Sequence, residues 1–223
     1  MLGFILSKLN LLILVTAIFA IVGFFSFGLT DIIKVNEAAE LATRLNEKSF
    51  SLASSPSYCS SGSYLLPDSL MVAGKEFYYV VKVSKEKVES YSGEEVNILI
   101  FSVYPRLEIT RYFGDSSYEP KAIAANSFRT KAEIFLYSQD YFGSGYENAV
   151  SLQVSPDGDN EIFLDPQAVL PANTIEMVKE VEAGLPLLHI IGCNYATCKA
   201  NKETIGEEVH APNPPVDEGG FRC

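Results

Sequence analysis

Four side chains able to bind zinc, His189, Cys193, Cys198 and His210, fall within 22 residues of one another. Zinc accepts two thiolates and two imidazoles in a tetrahedron. The spacing does not suit it: four residues separate the cysteines, and one histidine precedes the pair while the other trails far behind. His189 stands inside Leu187-Leu188-His189-Ile190-Ile191, an apolar run of strand type, and reads as a buried structural histidine. Asp157, Asp159 and Glu161 alternate as calcium ligands do. A calcium loop needs Gly at its sixth place and Glu at its twelfth, where Ile162 and Ala168 stand, so a solvated turn is expected. Ser144 lies in Gly143-Ser144-Gly145, but Phe142 occupies the first glycine position of a nucleophile elbow. No glycine-rich phosphate loop occurs. The expectation is therefore no catalytic residue, no metal site and no cofactor. The rival reading, a membrane-anchored hydrolase or metal-binding protein, would rest on His189 and Cys193.

The cysteines carry a different chemistry. Cys59, Cys193, Cys198 and Cys223 form an even set, which in an anchored chain suits disulfides in an oxidising compartment. Four cysteines allow three pairings, and the sequence leaves all three open. A bridge to Cys223 would hold down the Pro/Gly-rich tail that precedes it. The alternative is four reduced thiols in a cytosolic domain.

What must position these residues begins with an anchor. Residues 9–29 form 21 consecutive positions without a charge. As a helix they span roughly 30 Å, the thickness of a hydrocarbon core. Thr16 and Ser26 can bond back to their own helix, and Asn10 lies near one edge. A cleaved signal peptide would have a shorter apolar run, although Ser26-Phe27-Gly28 offers a small-x-small pattern. The basic residues do not fix orientation: Lys8 precedes the run, while Lys34, Arg44 and Lys48 follow among acidic residues. The cysteines and the acidic domain decide instead for a cytoplasmic N-terminus and an extracytoplasmic domain.

Beyond the anchor, Val35, Ala38, Ala42, Leu45, Ser49 and Leu52 recur at alternating spacings of three and four, with Glu37, Glu40, Arg44 and Glu47 off that seam. The anchor helix is thus expected to continue through residues 30–55, stopped by Pro56. The seam of Val35, Ala38, Ala42, Leu45 and Leu52 is an interaction surface, either for this chain's own domain or for a partner helix. Residues 58–62 read as a Ser/Gly loop. Alternation then marks strands around residues 77–83, 97–104, 132–137, 150–154, 161–164 and 187–191, with Asp157-Gly158 as a hairpin turn. Asn173, with Glu176 three residues on and Gly184 beyond, predicts one short C-terminal helix.

The expected organisation is a short flank (1–8), a transmembrane helix (9–29), an amphipathic stalk helix (30–55), a mainly antiparallel β-rich domain (56–200) and an irregular tail (201–223). The class is α+β. The net charge of −11 argues against nucleic acid as a partner. The bilayer, other envelope proteins or further copies of the chain remain as partners. A long N-terminal helix, half membrane and half amphipathic, before a strand-rich domain with C-terminal cysteines resembles a type IV pilin or pseudopilin. The processing motif of that family is absent, since Lys8 is followed by Leu9 rather than a small residue. The resemblance implies a subunit of a surface filament or secretion apparatus and assigns no residue a role. The direct reading is a single-pass cell-envelope protein with a structural or protein-interaction role and no catalysis.

Overall fold

The computed structural model describes residues 2–89, 93–114, 117–138, 160–168, 172–182 and 184–194. The first element, α1 (Leu2–Ala53), is a helix of 52 residues, about 78 Å long at 1.5 Å per residue. Its apolar first part is bare: Leu11 is 64% exposed, Phe19 72% and Phe24 79%. This helix is long and apolar enough to cross a membrane. From Ala38 the same helix turns inward, with Ala38, Leu41, Ala42, Leu45 and Ser49 at most 4% exposed. It ends ahead of Pro56, as expected. The Ser55 N–H bonds the Leu52 carbonyl at 3.1 Å, which tightens the last turn.

The strands are β1 (Cys59–Leu65), β2 (Leu70–Val72), β3 (Lys75–Phe77), β4 (Tyr79–Glu89), β5 (Glu95–Pro105), β6 (Ala124–Thr130), β7 (Glu133–Ser138), β8 (Glu161–Leu164), β9 (Thr174–Glu182) and β10 (Leu185–Cys193). A second helix, α2 (Arg106–Gly114), separates β5 from β6. One four-stranded sheet has the order β1-β9-β10-β7, the other β6-β5-β4-β8. All pairs are antiparallel except β10 with β7. The small β2–β3 hairpin turns through Ala73 and Gly74, at φ 51° and 77°, the paired left-handed conformations that a two-residue loop demands.

The core lies where the two sheets and the second half of α1 meet. Leu45 from α1, Val81 and Phe101 from one sheet, and Ile175, Met177 and Leu188 from the other are each fully buried there. The backbone positions follow from simple alternation. Tyr79, Val81 and Val83 point inward from β4, and Leu99, Phe101 and Val103 from β5. The class is α+β, as the sequence predicts.

Three expectations are corrected. The segment after Asn173 is not a helix but β9, paired on both sides by β1 and β10. Thr174, Ile175, Val178 and Val181 are β-branched, and period-two alternation places Ile175 and Met177 in the core. Asn173 accepts the Leu66 N–H through its backbone carbonyl at 2.7 Å, extending the ladder instead of capping a helix. The short helix of the domain is α2, in the middle of the chain. Residues 58–62 are not a free loop either, since Cys59 opens β1. At Gly62 the strand runs beside α1: a Cβ there would make ordinary contact with Lys48 Cε at 3.8 Å and Leu52 Cδ1 at 4.0 Å. The third correction concerns the seam and follows below. The expected strand at 150–154, most of the Asp-Gly turn and the tail 201–223 lie outside the described residues.

Candidate functional site

The interaction seam is the first predicted site to place. Ala38, Ala42 and Leu45 are fully buried, Leu52 is half-buried, and Val35 is 46% exposed. The seam therefore begins at Ala38. Val35 is a correction, because at that level of the helix Lys34 rather than Val35 reaches the domain, lying 5.8 Å from the Phe77 ring centre. Leu41, outside the predicted seam, is buried beside it. The partner of the seam is this chain's own domain. Asn126 of β6 donates to Thr43 Oγ1 at 3.1 Å, and Phe50 meets Phe128 edge-on at 5.8 Å. Ser49 donates to the Leu45 carbonyl at 2.8 Å and lies 3.0 Å from Met177 Sδ. Lys179, 6% exposed, donates to the Ser55 carbonyl just past the end of α1, where a helix presents its negative pole. Glu40 and Glu47 face water.

His189 is buried, as the sequence predicts, and lies on the face of its sheet opposite the core. Its Nε2 stands 2.9 Å from Glu180 Oε1 and its Nδ1 3.1 Å from the Tyr137 hydroxyl. The ring stacks on Phe135 at 5.1 Å between centres. Burial pushes the Tyr137 phenol well above its ordinary pKa, with the nearby Glu180 carboxylate adding to it, so the hydroxyl stays neutral. Both imidazole nitrogens are thus engaged by protein groups, which anchors His189 as a buried structural residue. Among the described residues no group of three or more His, Cys, Asp or Glu side chains gathers as a metal site would. His210, Ser144, Asp157 and Asp159 lie outside the described residues.

Cys59 opens β1 half-buried, and Cys193 closes β10 at 2% exposure. Neither is a free thiol. Cys198 and Cys223 lie outside the described residues.

A cleft of about 220 Å³ opens between α2, β4 and β8, lined by Val80, Arg106, Ile109, Phe113, Phe163 and Asp165 among others. Pro105 ends β5, and the Arg106 N–H donates to the Tyr78 carbonyl at 3.1 Å as α2 begins. Arg106 Nε reaches both Asp165 oxygens, at 2.8 and 3.1 Å, and its Nη2 donates to the Gln167 carbonyl at 3.0 Å. The guanidinium thereby ties α2 to the end of β8. Phe113 packs edge-on against Phe163 at 5.3 Å yet stays 67% exposed. Thr110 donates to the Arg106 carbonyl at 3.0 Å. The cation and the hydroxyl are both committed, and the lining pairs no nucleophile with a base. The cleft is smaller than the common range for small-molecule pockets. The signal for α2 was in the sequence, as Ile109 with Tyr112 and Phe113 at helical spacing after a proline. The pairing of Arg106 with Asp165, 59 residues apart, was not.

No family model, curated protein or solved structure matches this chain.

α1 presents two contrasting stretches. One is a bare apolar half, and the other is packed against the domain.

Proposed function

We propose that this protein is a single-pass cell-envelope protein, with its N-terminus cytoplasmic and an acidic α+β domain outside, that acts by structure and protein contact. The observation that carries this reading is the division of labour along α1. Residues 9–29 hold no charge, and Leu9 to Val22 with Phe24 and Leu29 stand exposed, while Ala38, Leu41, Ala42, Leu45 and Ser49 on the same helix are buried against the sheets. Exposing that many large apolar side chains to water would cost on the order of 20 kcal/mol, at roughly 1.5–3 kcal/mol each. A hydrocarbon surrounding removes that cost. The external placement is supported by the two cysteines that are not free thiols.

Carbonate extraction of membranes, followed by protease treatment of intact cells and of lysed cells, tests the reading. The chain should stay in the membrane pellet, and its domain should be cut from outside. A mature chain beginning at Leu29 in the soluble fraction would overturn the anchor.

A second reading, a filament subunit of pilin type, draws on the same helix running without interruption from an apolar half into a domain-packed half. N-terminal sequencing separates the two, because a filament subunit of that type is processed before assembly and the anchored protein keeps Lys8.

A further inference from the structure

β6 runs along α1 in the same direction: Asn126 meets Thr43, and Phe128 meets Phe50. β5 and β4 extend that ladder, with Val103 opposite Ala124 and Tyr79 opposite Pro105. Two residues from Asn126 back to Ala124, then two from Val103 on to Pro105, cover about 14 Å of strand. The same distance is about nine residues of helix, which leads from Thr43 back to Lys34. The side chains agree, since Lys34 lies 5.8 Å from the Phe77 ring centre, just ahead of β4. β1 runs the opposite way to α1. Lys179, opposite Ser60, donates to the Ser55 carbonyl, and Lys48 lies 5.6 Å from the Tyr64 ring centre. The β2–β3 hairpin joins β1 to β4, and α2 follows β5. Both therefore sit at the end of the domain nearest the uncharged run of α1.

That end carries large apolar side chains in the open. Leu107 is 74% exposed, and Met71, Tyr78 and Phe113 are exposed with it. Tyr112 and Tyr118 stand half-buried on and just after α2. Tyrosine is a residue of membrane interfaces, where its ring meets acyl chains and its hydroxyl meets water. The charges nearby are balanced. Lys34 pairs with Asp31 at 3.2 Å, Arg111 lies 3.9 Å from Glu108, and the Tyr78 hydroxyl donates to Glu76 at 2.9 Å. Exposed Lys75 and Lys121 are matched by exposed Asp68 and Glu119. Such a surface has no excess of cations to select acidic lipid. We infer that this end of the domain is a membrane-contact surface: Met71, Tyr78, Leu107 and Phe113 seat in the zwitterionic headgroup layer of the leaflet nearest Leu29. The inference rests on the anchor proposed above, and it makes the hairpin and α2 a second attachment beside the helix.

The chain contains no tryptophan, so a single introduced one reports only its own surroundings. The full-length protein carrying Leu107→Trp or Phe113→Trp is reconstituted into phosphatidylcholine vesicles. Its emission should fall when the lipid carries bromine at the headgroup end of its acyl chains. Tyr58→Trp and Leu185→Trp, exposed at the opposite end of the domain, should lose no emission. Phe19→Trp, in the middle of the anchor, should lose emission to bromine at the chain ends. The loss at Leu107 and Phe113 should persist in high salt, because apolar burial is not screened. Quenching of Phe19→Trp without quenching of Leu107→Trp and Phe113→Trp overturns the contact and leaves the anchor standing. An unquenched Phe19→Trp overturns the anchor and this inference with it. Blue-shifted but unquenched emission at Leu107 and Phe113 means that protein covers them, and it overturns lipid as the occupant. Quenching there that salt abolishes, or that appears only with phosphatidylglycerol, overturns the zwitterionic assignment.

Discussion

At the scale of single residues, close packing sets the sharpest expectations. A Cβ on Gly192 would stand 2.6 Å from Leu164 Cδ2, across the interior between the two sheets. Gly192→Ala should lower unfolding free energy by roughly 1–3 kcal/mol in a denaturant titration, because Leu164 is itself fully buried and has little room to give way. Tyr79 is fully buried, and its hydroxyl donates to the Pro67 carbonyl at 2.6 Å. Burial is the largest cause pushing its phenol above the ordinary 10.0, as it is for Tyr137. A folded-state pKa above the unfolded one means the stabilisation is complete below pH 10.0 and is lost as the pH rises past it. Tyr79→Phe should cost about 1 kcal/mol at neutral pH and make the alkaline fall shallower. Chemical denaturation repeated between pH 7 and 11 reads both effects.

At the scale of elements, the second half of α1 is the test case. Leu45 is fully buried against the sheets, so Leu45→Ala should lower stability by roughly 2–4 kcal/mol. Glu40, exposed and paired with Arg44 one turn on, should be replaceable by Ala with no shift of the melting temperature. A Leu45→Ala domain that melts unchanged would mean that α1 does not pack on the domain. Much of this level was legible in advance. The seam from Ala38 to Leu52 follows from helical spacing, and β4, β5, β7, β8 and β10 follow from alternation or continuous apolar runs. β9 does not follow from its local signals, because Asn173, Glu176 and Gly184 stand at the spacing of a capped helix while the β-branched Ile175, Val178 and Val181 suit a strand. Only the two flanking strands, distant in sequence, decide between them. β6 escaped because Ala124 to Thr130 is largely polar, as an edge strand on the helix side can be. The cleft beside α2 was illegible for a similar reason, since Arg106 and Asp165 meet only after β8 has joined β4.

At the scale of the whole molecule, α1 is bare and apolar in its first part and packed into the core in its second. A chain of residues 30–223 should therefore be soluble and fold cooperatively, whereas residues 54–223 should aggregate, having lost Leu41, Leu45 and Ser49 from the core. Circular dichroism melts and gel filtration of the two fragments check this. The same helix also sets a height. Lys34 already lies over Phe77, and it is only five positions, about 7.5 Å of helix rise, beyond Leu29 where the uncharged run ends. With that run across a bilayer, the domain has no clearance: its underside rests at the level of the lipid headgroups. In that placement no protein could slip beneath it, and a neighbour would have to approach from the flanks or from above. The domain's footprint, and not the girth of one helix, then sets how closely such molecules crowd in the plane of the membrane.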